Sequence, residues 1–231
     1  MSLVRAVVFD FYGTLTPGRS DVEQSQVRQA QAEALGVDPA AYDAELTATV
    51  DQRFRGAGGS VAGSLAWVAA RLGVQPADDA LAAAASVRLA SERGFGTPRP
   101  EVVGLLTALR ERGLRIGVVS DCSAELPEYF GRLPVASLVD AAVFSFVEGV
   151  KKPDPAIYRA CCARLGVAPA ECLYVGDGGS DELNGALRVG MRPVLLAAAG
   201  EEAGVVYGRH AAAWAGERVA SLTDVPALLD A

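Results

Sequence analysis

Four short apolar runs set the terms for any fold this chain can adopt, at residues 4–9, 114–119, 172–175 and 193–196. They are nearly continuous rather than alternating with polar residues, which is the pattern of strands covered on both faces in a parallel sheet. A weaker run at residues 141–146 is a candidate further strand. Parallel neighbours need long crossovers, and helix-like segments stand where crossovers belong. Residues 100–112 stop at Gly113, residues 155–165 at Gly166 and residues 181–189 at Gly190, each glycine where a left-handed C-terminal cap is wanted. The repeated order of strand, helix and strand predicts a doubly wound α/β sheet, Rossmann-like in outline, with right-handed crossovers.

The alternation is interrupted between the first run and the second. From about residue 19 to residue 94 no convincing strand occurs, and four helical segments follow one another at residues 21–35, 39–54, 60–72 and 78–93. Gly36, the Gly56-Ala57-Gly58-Gly59 break, Gly73 and Gly94 mark their ends. This predicts an all-helical cap domain at residues 17–96, inserted into an α/β core of residues 1–16 and 97–231, with hinges at borders that carry Pro17 and Gly96.

Charge and composition narrow the chemistry. A net charge of -7 with scattered basic residues argues against nucleic acid or an anionic membrane as partner, because phosphate surfaces need clustered Lys and Arg. No stretch of bilayer-spanning length is free of charge, and the first apolar run reaches Asp10 before a secretory core can form, so the chain reads as cytoplasmic. Cys122, Cys161, Cys162 and Cys172 show no CxxC spacing and are expected as free, buried thiols. The single histidine, His210, reads as a surface or packing residue, which leaves no material for a Ser-His-Asp or Cys-His centre or a histidine-rich metal site. Any chemistry rests mainly on carboxylates and lysines.

In an open parallel sheet, ligands bind outside the carboxyl ends of the strands, so the residues that end each run are the ones to inspect. Asp10 ends the first and leads into Phe-Tyr-Gly-Thr-Leu-Thr. Ser120 ends the second, and the third runs into Gly176-Asp177-Gly178-Gly179-Ser180-Asp181. Between them, Lys151-Lys152-Pro153 places lysine in a loop just before a helix. Crowded carboxylates raise one another's pKa unless a cation sits among them. Mg²⁺ takes oxygen ligands and commonly keeps waters and a substrate phosphate, which suits acids without His or Cys.

With these residues in that order, the chain resembles the haloacid dehalogenase superfamily across essentially its whole core. Asp10 through Leu15 looks like the first motif of that family, Ser120 the second, Lys152 before Pro153 the third, and Asp177 with Asp181 the fourth. The resemblance implies that Asp10 attacks the substrate, that Thr14 and Ser120 orient it, and that Lys152 steadies nucleophile and transferring group. It further implies that Asp10, the backbone carbonyl of Tyr12 and Asp177 bind Mg²⁺, with Asp181 supporting the metal or the lysine from behind. The helical insert then looks like the cap of one branch of the family, which closes over the site and selects the substrate. A small phosphorylated metabolite is the expected substrate.

One position departs from that pattern. Phosphatases of the superfamily usually carry a second aspartate two residues after the nucleophile, to protonate the leaving alcohol and activate water; this chain has Tyr12, a poor base with an ordinary pKa of about 10. Tyrosine there is similar to the 2-haloacid dehalogenases, where no leaving-group proton is needed, so dehalogenation is the alternative, and a catalytically weak binding protein a third reading. Asp177 weighs toward the metal-dependent phosphatase, since a metal-free dehalogenase has no use for it. Asp121, where those enzymes tend to carry Asn, weighs the same way. A phospho-receiver domain is much shorter and needs an acidic pair after its first strand, and a dinucleotide fold wants G-x-G-x-x-G there; neither pattern is present.

Overall fold

The computed structural model describes residues 3–18, 21–198 and 213–229. His210 lies outside them. Six strands form one sheet, all neighbours parallel: β1 (Ala6–Phe9), β2 (Arg115–Ser120), β3 (Ala141–Phe144), β4 (Cys172–Gly176), β5 (Arg192–Leu196) and β6 (Arg218–Val219), in the spatial order β3-β2-β1-β4-β5-β6. This is the doubly wound α/β sheet. The short β6 has too few residues to show in the sequence as a run. The weak run at residues 141–146 divides: β3 takes its first part, and the chain turns into a short helix at Ser145, whose hydroxyl accepts from Cys122 N at 3.0 Å.

The pleat of β1 explains how both faces are filled. Val7 and Phe9 point into one apolar cluster with Leu105, Leu106 and Leu109, while Ala6 and Val8 point into another with Ile157, Tyr158 and Leu165. Burying both faces is why the strand sequences lack polar alternation. The four cysteines are free and buried.

Five helices lie between β1 and the rest of the sheet: α1 (Asp21–Leu35), α2 (Pro39–Ala48), α3 (Val50–Phe54), α4 (Val61–Arg71) and α5 (Asp78–Phe95). No strand occurs among the described residues of 17–96. These helices pack largely on one another, around Leu35, Tyr42, Leu46, Leu65, Val68 and Ala84. The expected single helix at residues 39–54 is two, because Thr49 leaves the helical range at φ -105, ψ 6 and its hydroxyl turns back to the Glu45 carbonyl at 2.5 Å. Gly94 does not end the last helix, which continues to Phe95.

The core helices are α6 (Val102–Glu111), α7 (Glu125–Tyr129), α8 (Ser145–Glu148), α9 (Pro155–Leu165) and α10 (Glu182–Val189). Helix α6 covers one face of the sheet, and α9 and α10 cover the other. Strand order therefore reverses between β1 and β4, opening a crevice at their carboxyl ends. No helix among the described residues is long and apolar enough to cross a membrane.

Candidate active site

Asp10 continues the β1 ladder by one residue, its N–H donating to Val175 O at 2.9 Å, and then the chain leaves the sheet through a wide turn over Phe11–Leu15. That turn closes with Thr16 N–H donating to Phe11 O at 3.0 Å. Gly13 makes it possible: its φ is +82, and a Cβ there would collide with the Asp177 carboxylate. From the far side Arg99 holds the turn, its Nε donating to Thr14 O at 2.9 Å and its Nη2 to Gly13 O at 3.2 Å. Arg99 carries no signal in the residue pattern, because it satisfies carbonyls that only the turn exposes.

Lys152 is 3% exposed and reaches Asp10 Oδ1 at 2.5 Å and Glu182 Oε2 at 2.6 Å. Its loop is fixed by its own N–H, which donates to Asp121 Oδ1 at 2.9 Å. Lys151 points elsewhere, with its Nζ 3.9 Å from both Asp51 and Asp121. Burial works against the Lys152 ammonium, but Asp10, Glu182 and Asp121 outweigh it and raise its pKa well above the ordinary value, so it stays charged.

Asp10, Asp177 and Glu182 bring carboxylate oxygens within 4.8 Å of one another, a group able to hold a metal ion. Asp181, expected to back the metal or the lysine, is not in that group. Ser180 and Asp181 both take left-handed backbone angles, φ 54 and 53, so α10 begins only at Glu182. The Asp181 carboxylate turns to Asn184 Nδ2 at 2.6 Å and to Arg188 Nη1 at 3.4 Å. Glu182, which sequence reasoning passed over, enters the crevice instead. It accepts from Tyr174 Oη at 2.7 Å and from Gly178 N–H at 2.9 Å. A signal for it existed in Gly176, where a Cβ would strike the Glu182 side chain, but the adjacent acids at 181 and 182 left the spacing ambiguous.

Burial is the main force raising the Asp10 carboxyl, with Glu182 and Asp177 adding to it and Lys152 opposing. Burial and then Glu182 push Asp177 up to about 7. Three carboxylates less one ammonium leave a charge of -2, which a divalent cation would cancel. Asp177 Oδ1 accepts from Gly179 N–H at 2.9 Å and Asp10 Oδ1 from Lys152, and the donors gathered here are all carboxylate oxygens. The donor set therefore fits a hard divalent ion.

The remaining expected residues border the same crevice. Ser120 is fully buried at the end of β2, next to β1. Thr14 is fully buried, and its Oγ1 has no hydrogen-bond partner among the described residues. The side chain of Tyr12 points toward the helical layer: its hydroxyl donates to Glu92 Oε2 at 2.9 Å and lies 3.1 Å from the Tyr129 hydroxyl.

Comparison with known proteins agrees with this geometry. A model of the haloacid dehalogenase-like hydrolase family matches residues 4–190. The chain is 30% identical over 197 residues to glyceraldehyde 3-phosphate phosphatase of Methanopyrus kandleri, covering 84% of each. It is 29% identical over 205 residues to phosphoglycolate phosphatase of Escherichia coli, covering 77% of this chain and 75% of that one. It superposes on 2-haloacid dehalogenase from Pseudomonas syringae pv. tomato with a TM-score of 0.72 at 22% identity, and on a HAD phosphatase from Thermococcus onnurineus with 0.64 at 19%, each over 98% of both chains. Those two likenesses speak for the fold. The chain belongs to the haloacid dehalogenase-like hydrolase family, and the protein is accordingly a hydrolase.

Proposed function

We propose that this hydrolase is a Mg²⁺-dependent phosphatase of a small phosphorylated metabolite, working through an aspartyl phosphate on Asp10. The observation that carries the reading is the crevice charge: Asp10, Asp177 and Glu182 gather around a single ammonium, an arrangement that a divalent cation and a phosphoryl group would complete. The sequence relatives named as phosphatases of glyceraldehyde 3-phosphate and of phosphoglycolate support it. Asp10, Asp177 and the Tyr12 carbonyl are the groups that would hold Mg²⁺, and Asp181 is left out of that set. When bound, the ion supplies charge neutralisation to the transferring phosphoryl group.

The chain's own residues do the rest. Asp10 presents a carboxylate oxygen at the end of β1, held in place by Lys152. Glu182 keeps Lys152 aimed, its own orientation fixed by Tyr174 and by the Gly178 N–H. Thr14 and Ser120 offer hydroxyls that orient the phosphoryl oxygens. Residues 17–96 act as a cap that excludes water and selects the alcohol portion of the substrate. A cytoplasmic site of action follows from this substrate class and from the four free thiols.

Tyr12 favours a second reading, a 2-haloacid dehalogenase, since such chemistry needs no proton for its leaving group. Asp177, half-buried beside Asp10 and Glu182, counts against it. Mixing the protein with an aryl phosphate and Mg²⁺, quenching in acid and mapping the modified peptide tests the proposal. Phosphate on Asp10 is expected, and none with Asp10→Asn in a folded protein; turnover by Asp10→Asn at the wild-type rate contradicts it.

A further inference from the structure

Two of the four buried thiols meet. Cys162 lies in the last turn of α9 and Cys172 opens β4, and their Sγ atoms are 3.8 Å apart. A disulfide needs its sulfurs about 2 Å apart, so these have less than about 2 Å to travel. The other two thiols are placed elsewhere. Cys161 packs over Gly117 of β2, where a Cβ would come within 2.7 Å of its Sγ, and Cys122 lies beyond the carboxyl end of β2 with its N–H on Ser145 Oγ. Cys162 and Cys172 are therefore the two that can join within one chain.

The pair sits at the amino end of β4, the opposite end of the strand from Asp177. It lies beside the turn of residues 166–171, all of them exposed or half-buried, and Cys172 Sγ is 3.5 Å from Ala168 O in that turn. Cys162 keeps 3% of its surface, so a slight opening of the turn admits an oxidant as small as hydrogen peroxide. The thiols also differ in character. Burial pushes those of Cys122 and Cys161 up, and contact with Cys162, then burial, does the same to Cys172; Cys162 alone is lowered, by its contact with Cys172. The thiolate is the nucleophile, so Cys162 is the sulfur fit to react first.

We propose that Cys162 and Cys172 form a reversible disulfide, a redox-sensitive staple between α9 and β4 that hydrogen peroxide closes and a dithiol opens. In the first step the Cys162 sulfur bonds to one peroxide oxygen and the O–O bond breaks, leaving a sulfenic acid on Cys162; the departing hydroxide becomes water with the proton that the thiol gave up. The Cys172 sulfur then bonds to the Cys162 sulfur, the S–O bond breaks, and that hydroxide leaves as a second water with the Cys172 proton. The two sulfurs together lose two electrons and the peroxide gains them. A dithiol reverses the bond by exchange and is itself oxidised to the disulfide. Helix α9 begins just after Lys152-Pro153-Asp154 and β4 runs into Asp177, so the staple ties the far ends of the two elements that present Lys152 and Asp177 to the crevice. It closes a short loop, which takes conformational entropy from the unfolded chain and stabilises the fold.

The test treats the full chain with hydrogen peroxide, alkylates it in denaturant and maps the peptides. Of the four thiols, two should be lost on oxidation and recovered with dithiothreitol, and one intrachain link to Cys172 should be found. Cys161→Ala should still form that link and Cys162→Ala should not, which assigns the partner between the adjacent cysteines. The oxidised wild-type protein should melt about 5 °C above the reduced one, a rise absent from Cys162→Ala and Cys172→Ala. Mapping of the wild-type chain decides the matter even if a variant folds poorly. Four thiols still free under peroxide that fully oxidises glutathione, a link that runs between chains or survives Cys162→Ala, or an oxidised protein that melts no higher than the reduced one, each overturns the proposal.

Discussion

Glu182 holds the buried Lys152 ammonium together with Asp10, and its removal leaves that charge half-compensated inside the protein. Glu182→Ala is therefore expected to cost about 3 kcal/mol in urea unfolding, while Asp181→Ala, on the outer side of the turn, should cost less than about 1 kcal/mol. Equal costs would contradict the placement of the two side chains. Asp177 gives a pH signature. Its carboxyl is raised to about 7 in the fold, so its contribution to stability is complete below the ordinary carboxylate value and lost as the pH rises through about 7. Asp10 and Asp121 are raised as well and act in the same direction, and Lys152, raised above its ordinary value, stays charged across this window. Without Mg²⁺ the melting temperature should fall between pH 5 and pH 8 relative to Asp177→Asn, and the stabilisation by added Mg²⁺ should grow over the same interval. Asp10 and Asp177 stand out in the sequence because each directly follows an apolar strand run, and Lys152 because it precedes Pro153 in a loop before a helix. Glu182 does not, because choosing it over Asp181 needs the left-handed backbone at 180 and 181.

At the scale of elements, the buried pair of Arg88 on α5 and Glu125 on α7 joins the helical layer to the core. Glu125→Ala leaves a buried guanidinium short of its acid and should destabilise by about 3–5 kcal/mol, whereas Arg88→Met with Glu125→Leu should recover most of that loss in the same unfolding assay. Recovery by the double variant separates an ion-pair effect from lost packing. Most helices were readable from periodicity and terminal glycines, since those report on local backbone needs. The split at Thr49 and the turn at Ser145 were not, because each depends on a hydroxyl finding a backbone partner that the apolar pattern does not reveal. The contact of Tyr12 with Glu92 spans 80 residues and follows only from the docking of α5.

For the whole molecule, the order of runs predicted the parallel sheet and its crossovers, and the strand order β3-β2-β1-β4-β5-β6 explains why residues as far apart as Asp10 and Asp177 meet: they end the two strands that flank the reversal. The edge strand β6 was invisible because its two residues pair only when β5 is already in place. That architecture gives Asp177 a purpose if a divalent cation enters the crevice. The direct measurement is phosphate release from an aryl phosphate beside halide release from a 2-haloacid, each with chelator and with Mg²⁺ restored. Phosphate release abolished by the chelator and recovered with Mg²⁺, with no halide released, is the result expected; chelator-resistant halide release without phosphatase activity in Mg²⁺ would contradict it.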